Sequence, residues 1–120
     1  MKNLALVFCS IRPSQYPENV CDNREKEYLR SLKQLERILP NSFDLLVCEN
    51  TINDETQIKN DELRDFLNET EMCATGSESN IGTTNKGMGE LAMLMSGLEQ
   101  INSNDYDNIL YVTGRKFLKF

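Results

Sequence analysis

A mainly parallel α/β sheet with flanking helices is the fold this sequence predicts, and three observations predict it. Leu4 to Cys9 is an unbroken aliphatic run, the pattern of a central strand covered on both faces. Phe43 to Cys48 and Ile109 to Val112 repeat that pattern, with Asp44 the one interruption in the second run. Between these runs, apolar residues recur at helical spacing. Strands and helices therefore alternate, which implies right-handed crossovers and parallel pairing.

The elements follow in order. After the first strand, Ser10 to Asn23 reads as a loop because Pro13 and Pro17 interrupt it. Arg24 then begins a helix whose apolar positions are Tyr28, Leu29, Leu32, Leu35 and Leu39, and Pro40 ends it. The second strand leaves through polar Glu49, Asn50 and Thr51. Asn53 to Asn60 is turn-like, and Asp61 is placed to cap a short helix carrying Leu63, Phe66 and Leu67. Met72 to Thr75 is a weak third strand, and Gly76 to Gly87 is a polar loop long enough to carry function. Leu91, Leu94, Met95, Leu98 and Ile101 form one face of the next helix. Asp105 to Asn108 is the turn into the fourth strand.

At 120 residues the chain makes a single domain, residues 1 to 120, able to build one core without metal or disulfide staples. The domain is expected to be incomplete at its C-terminus, since Lys116, Phe117, Leu118 and Phe120 look like the start of a further element after strand four. A net charge of −6 argues against holding nucleic acid through its backbone. No apolar run approaches the roughly 20 residues of a membrane span. Cys9, Cys21, Cys48 and Cys73 have no C-x-x-C spacing, so no metal site is expected and the reducing cytoplasm is the expected compartment. With no histidine, Ser-His and Cys-His nucleophilic catalysis are excluded.

Ligands of parallel α/β sheets bind outside the carboxyl ends of the strands. That rule nominates Ser10, Ile11 and Arg12 after strand one, Glu49, Asn50 and Thr51 after strand two, Gly76 to Asn80 after strand three, and Thr113, Gly114 and Arg115 after strand four. A helix start at Asn85, Lys86, Gly87 and Glu90 lies near the same edge, where free N–H groups and the positive helix end attract anions. Each residue also has a plain structural use. Ser10 can cap a strand end, Asn85 and Glu90 can cap and charge the helix, and Arg12 and Arg115 can pair with surface carboxylates.

The run Asn85-Lys86-Gly87-x-Gly89-Glu90, its helix, and then Tyr106-Asp107-Asn108-Ile109-Leu110-Tyr111-Val112-Thr113-Gly114-Arg115 resembles the nucleotide-binding half of GT-A glycosyltransferases of the polysaccharide-building type. The resemblance covers Leu4 to Phe117 and implies a Rossmann-like half domain that binds a nucleotide-sugar donor for transfer to a glycan or other hydroxyl acceptor. It implies that Ser10 and Arg12 lie beside the nucleoside, Glu49 near the base or ribose, and Asn85 to Gly87 beside the donor nucleotide. No catalytic residue is identified. The family's metal-binding Asp-x-Asp is missing after strand four, where Thr113-Gly114-Arg115 stands, so a divalent cation such as Mg or Mn is left open and Arg115 is the candidate to meet the diphosphate. Asp105-Tyr106-Asp107 matches the pattern literally but precedes the strand, which places it at the opposite sheet edge. Two alternatives compete: another Rossmann-like nucleotide binder, disfavoured because Ser10 to Asn23 has no glycine, and a non-catalytic interaction module.

Overall fold

The computed structural model describes residues 2–74, 86–101 and 103–113. Four strands, β1 (Asn3–Cys9), β2 (Phe43–Glu49), β3 (Glu71–Ala74) and β4 (Asn108–Thr113), form one sheet in the order β3-β2-β1-β4. All three pairings are parallel, with Leu6 beside Leu46 on one side and Tyr111 on the other. The helices are α1 (Glu18–Ile38), α2 (Asp61–Glu69) and α3 (Lys86–Gln100). The architecture is the parallel, helix-flanked α/β sheet that the aliphatic runs predict.

Strand alternation divides the core in two. Val7, Cys9 and Val47 point to one face and meet Tyr28, Leu32 and Leu35 of α1 and Leu63 and Leu67 of α2. On the other face, Leu4, Leu6, Leu46, Cys48 and Cys73 meet Met93, Leu94 and Leu98 of α3 and Ile101 just after it. Because β1 is covered on both faces, none of Leu4 to Val7 exposes more than 1% of its surface. That explains why it shows no polar alternation.

Several boundaries differ from expectation for identifiable reasons. Helix α1 begins at Glu18, six residues before Arg24, so the expected loop from Ser10 to Asn23 closes at Pro17. Pro17 is extended at the N-cap, and its carbonyl accepts from Val20 and Cys21 N–H at 3.1 Å each. The first turns face charged partners instead of the core, so apolar spacing does not mark them. In α2 the cap is Asn60, whose side chain accepts from Leu63 N–H at 3.0 Å, and Asp61 is the first helical residue. A one-turn 3-10 helix, Ser103–Asp105, occupies part of the expected turn before β4.

The face of α3 is also rotated. Met93, Leu94, Leu98 and Ile101 pack inward, while Leu91 and Met95 are exposed. Gly97 explains the rotation, since its backbone lies directly on the sheet where a β-carbon would stand 2.8 Å from Cys48 Sγ and 3.5 Å from Leu6 Cδ2. This close approach turns Met93 into the core.

The amino edge is tied by polar contacts. Asn3 Nδ2 donates to Ser42 Oγ at 3.2 Å and Asn108 Nδ2 donates to Asn3 Oδ1 at 3.0 Å, joining three chain segments across β1. Tyr106 OH donates to Asp44 Oδ2 at 2.9 Å, and Asp107 exchanges hydrogen bonds with the backbone of Lys2. The Asp105-Tyr106-Asp107 triplet therefore fastens the amino edge.

Gly97→Ala should destabilise the fold by about 1 to 2 kcal/mol, because overpacking costs about 1 to 3 kcal/mol while alanine regains up to about 1 in helix propensity. In a Cys48→Ala background the same substitution should be neutral or stabilising. Urea unfolding of the four proteins of this cycle measures both outcomes.

Candidate functional site

Strands β1 and β2 deliver four of the nominated residues to one corner of the carboxyl edge. Asn50 N–H continues the β1 to β2 ladder by donating to Cys9 carbonyl at 3.3 Å, which brings the two exits side by side. Ser10 Oγ then donates to Asn50 Oδ1 at 2.6 Å. Both residues are partly exposed, so the pair presents a polar surface at the end of the two strands.

Glu49 is different, being fully buried. Its Oε2 accepts from Ile11 N–H at 2.7 Å, and its Oε1 accepts from Thr51 N–H, from Thr51 Oγ1 at 2.6 Å and from Ile52 N–H at 3.2 Å. Thr51 Oγ1 in turn accepts from Arg12 N–H at 2.9 Å. One carboxylate thus sews the β1 exit to the β2 exit. Burial pushes its pKa up to about 7, against the opposing effect of the hydrogen bonds from Thr51, Ile11 and Ile52.

Arg12 turns its side chain back onto the first turns of α1. One terminal nitrogen donates to Asp22 at 3.0 Å and to Glu25, and the other to Glu18 at 2.6 Å. Burial alone would lower the guanidinium pKa, but the hydrogen bonds to Asp22 and Glu25 outweigh it and raise the value. Glu25 is itself buried and also accepts from Asn60 N–H at 2.7 Å and Lys59 N–H at 3.2 Å, so it holds the entry to α2 as well. Lys59 completes the network with an ion pair to Glu18 at 2.5 Å.

Further residues outside the nominated set shape the same corner. Arg24 Nε donates to Ser10 carbonyl at 3.1 Å, and its guanidinium lies 5.4 Å from the Tyr16 ring centre and 5.8 Å from that of Tyr28. Tyr28 OH accepts from Ser10 N–H at 2.9 Å. Helical spacing assigns Tyr28 to the core, which is right for its ring and silent about its hydroxyl. The acids Glu18, Asp22 and Glu25 recur at helical spacing too, a signal that becomes readable once α1 is started at Pro17.

The remaining nominated residues belong to the other side of the switch. The chain leaves β3 at the carboxyl edge and enters β4 at the amino edge, so α3 runs back across the sheet; Gln100 near its end donates to Met72 carbonyl at 3.3 Å. Lys86 and Gly87, the first residues of α3, consequently start from the carboxyl edge. Asn80, Asn85 and Arg115 lie outside the described residues, as do Gly76 to Ser79 and Gly114. The strand order reverses between β1 and β4, which is the topological switch point of such a sheet.

Among the described residues, no group of three or more His, Cys, Asp or Glu side chains is arranged to hold a metal ion. No helix among them is long and apolar enough to cross a membrane. The four cysteines are buried free thiols, and burial pushes Cys48 up to about 12 and Cys9 well above the usual thiol range. Such thiols are poor nucleophiles.

Two predictions follow from this geometry. Arg12→Ala leaves Glu25 buried without its cation and should cost about 3 kcal/mol, of which adding Glu25→Gln should restore a part; chemical denaturation of single and double variants reads both. For Glu49 the sign runs toward acid stability: the unfolded chain loses its proton near 4.5 while the folded chain keeps it to about 7. The unfolded state therefore binds fewer protons in this window, and stability falls as pH rises through it. Relative to Glu49→Gln, the wild type should lose about 3 kcal/mol between pH 4.5 and pH values above 7, measured by unfolding titrations across that range.

Comparison with protein families, curated proteins and solved structures finds no match to this chain.

Proposed function

We propose that the chain is a glycosyltransferase-type domain that binds a nucleotide diphosphate sugar for transfer to an acceptor hydroxyl, on a glycan or another hydroxyl compound. The observation that carries this reading is the all-parallel β3-β2-β1-β4 order, whose switch point falls between the exits of β1 and β4, next to Ser10 at the end of β1 and its partner Asn50 at the end of β2. The motif from Asn85 to Arg115 supports the same reading from the sequence.

In this reading the polar residues divide their work. Ser10 and Asn50 contact the nucleoside, and the start of α3 at Lys86 and Gly87 faces the donor with first-turn N–H groups that have no partner within the helix. Arg12 and Glu49 act at one remove, because their charged groups are already engaged by α1 and by the loop backbone. Arg115 meets the diphosphate, supplying charge where the resembled family uses a metal; whether Mg or Mn assists is read by the same experiment. Transfer then requires the leaving diphosphate to be stabilised and the acceptor oriented.

Titration calorimetry with uridine, guanosine, cytidine and adenosine diphosphates, with and without Mg or Mn, tests the proposal. One nucleoside diphosphate should bind, and Arg115→Ala should weaken it by roughly tenfold or more, with the nucleoside little affected. Arg115→Lys should recover only part of the loss, since lysine lacks the planar two-point contact. Failure of every nucleotide to bind to the folded protein would transfer the argument to a non-catalytic interaction module.

A further inference from the structure

Helices α1 and α2 lie side by side on one face of the sheet, both packed on Val7 and Val47, and Lys33 of α1 reaches Glu62 of α2 at 2.7 Å. Their outward sides carry opposite charge. On α1, Lys26, Arg30, Lys33 and Arg37 recur at helical spacing, all exposed and on the side away from buried Leu32 and Leu35. On α2, Glu62, Asp65 and Glu69 form an exposed acidic side away from buried Leu63 and Leu67. A basic ridge and an acidic ridge therefore run next to each other.

Neither ridge follows what a solvated helix favours. Like charges four residues apart destabilise a helix, and Lys26 with Arg30, Lys33 with Arg37, and Asp65 with Glu69 are such pairs. Glu69 also stands at the end of α2, where the helix dipole disfavours an acid. Pairing within one copy answers part of this charge, through Lys33 with Glu62 and Arg64 with Asp61. Among the described residues, Arg37, Asp65 and Glu69 make no ion pair. A uniformly anionic partner laid on the basic ridge would meet the acids beside it at a cost, so the surface suits a partner that carries both signs in the same layout. The chain itself has that layout.

We propose that this surface joins two copies of the chain, with a twofold axis along the groove between α1 and α2 laying the basic ridge of each copy on the acidic ridge of the other. Both helices run from the carboxyl edge to the amino edge, and rotation about an axis parallel to them keeps every residue at its own height. The Lys33 to Glu62 contact sets that height. Arg37, four residues beyond Lys33, then comes opposite Asp65 and Glu69 of the second copy, three and seven residues beyond Glu62. Each copy carries a net charge of −6, but at about 0.1 M salt that long-range repulsion is screened over about 10 Å, and the ridges in contact decide. An interface built on exposed charge is weak and salt-sensitive.

Sedimentation equilibrium of the full chain, up to roughly 1 mM so that a millimolar Kd is readable, tests the pairing. The wild type should form dimers at about 0.1 M salt and dissociate at about 1 M, where screening shortens to about 3 Å. Arg37→Glu alone, and Asp65→Lys with Glu69→Lys in one chain, should each weaken the dimer by roughly tenfold or more. All three side chains are exposed, so the variants should fold, which circular dichroism checks. Mixing the two variants should restore association, because each ridge then meets its opposite charge in both contacts. A wild type that stays monomeric, a dimer that persists at high salt or in either variant, or a mixture that fails to associate overturns the proposal.

Discussion

The pairing of Arg12 with Glu25 is the contact on which the carboxyl edge depends. A carboxylate with 1% of its surface exposed is costly unless its charge is matched and its oxygens are occupied. Glu25 meets both conditions by drawing in three separate pieces of chain: Arg12 from the loop after β1, the backbone of Lys59 and Asn60 before α2, and α1 itself. The side chain of Asn60 then caps α2, so the position of that helix is tied to the same carboxylate. Removing the arginine would leave a buried charge next to Asp22 and Glu18, which explains why the network behaves as a unit instead of a set of surface pairs.

How much of this was legible in the sequence follows from which interactions leave periodic traces. Burial on both faces of β1 writes itself as Leu4 to Cys9, and the helical stripe Leu32, Leu35 marks α1 equally plainly. The first turns of α1 leave a different trace, since Glu18, Asp22 and Glu25 resemble a solvated face until Arg12 is known to lie against them. The stripe on α3 was misplaced because Gly97, having no side chain, decides the rotation by what it allows to approach. Glu49 was legible as an important position and not as a buried one. A glutamate at a strand exit looks the same in sequence whether it reaches for a ligand or for the backbone of Ile11 and Thr51.

The sheet is unevenly finished across its width. Its β2 and β1 strands have helices over both faces, whereas β4 is an edge among the described residues, with Leu110 and Tyr111 exposed on opposite faces. Stacking of Tyr111 on Phe8, with ring centres 6.3 Å apart, covers one side of that strand in part. The register of β4 is set by its ladder to β1 from Asn108 to Thr113 and reinforced at its start by Asn108 on Asn3 and by the Tyr106 and Asp107 contacts at the amino edge. Anchoring at the amino end fixes where β4 begins beside β1, and the strand then runs to the carboxyl edge at Thr113.

That asymmetry has a physical logic for a binding edge. Full charges at the corner of β1 and β2 are spent internally: Arg12 on three acids, Arg24 on Ser10 carbonyl between two tyrosine rings, Glu49 on backbone donors. What remains partly exposed there is neutral, the hydroxyl of Ser10 and the amide of Asn50. Neutral groups lose less on desolvation than ions do, so they can exchange water for a ligand at small cost once their backbone is held in place. Holding the backbone is what the buried ions do. An arrangement of this kind separates the groups that pre-organise the edge from the groups that can touch a ligand, and it predicts that substitutions at Arg12 or Glu49 act on the loops first and on any ligand only through them.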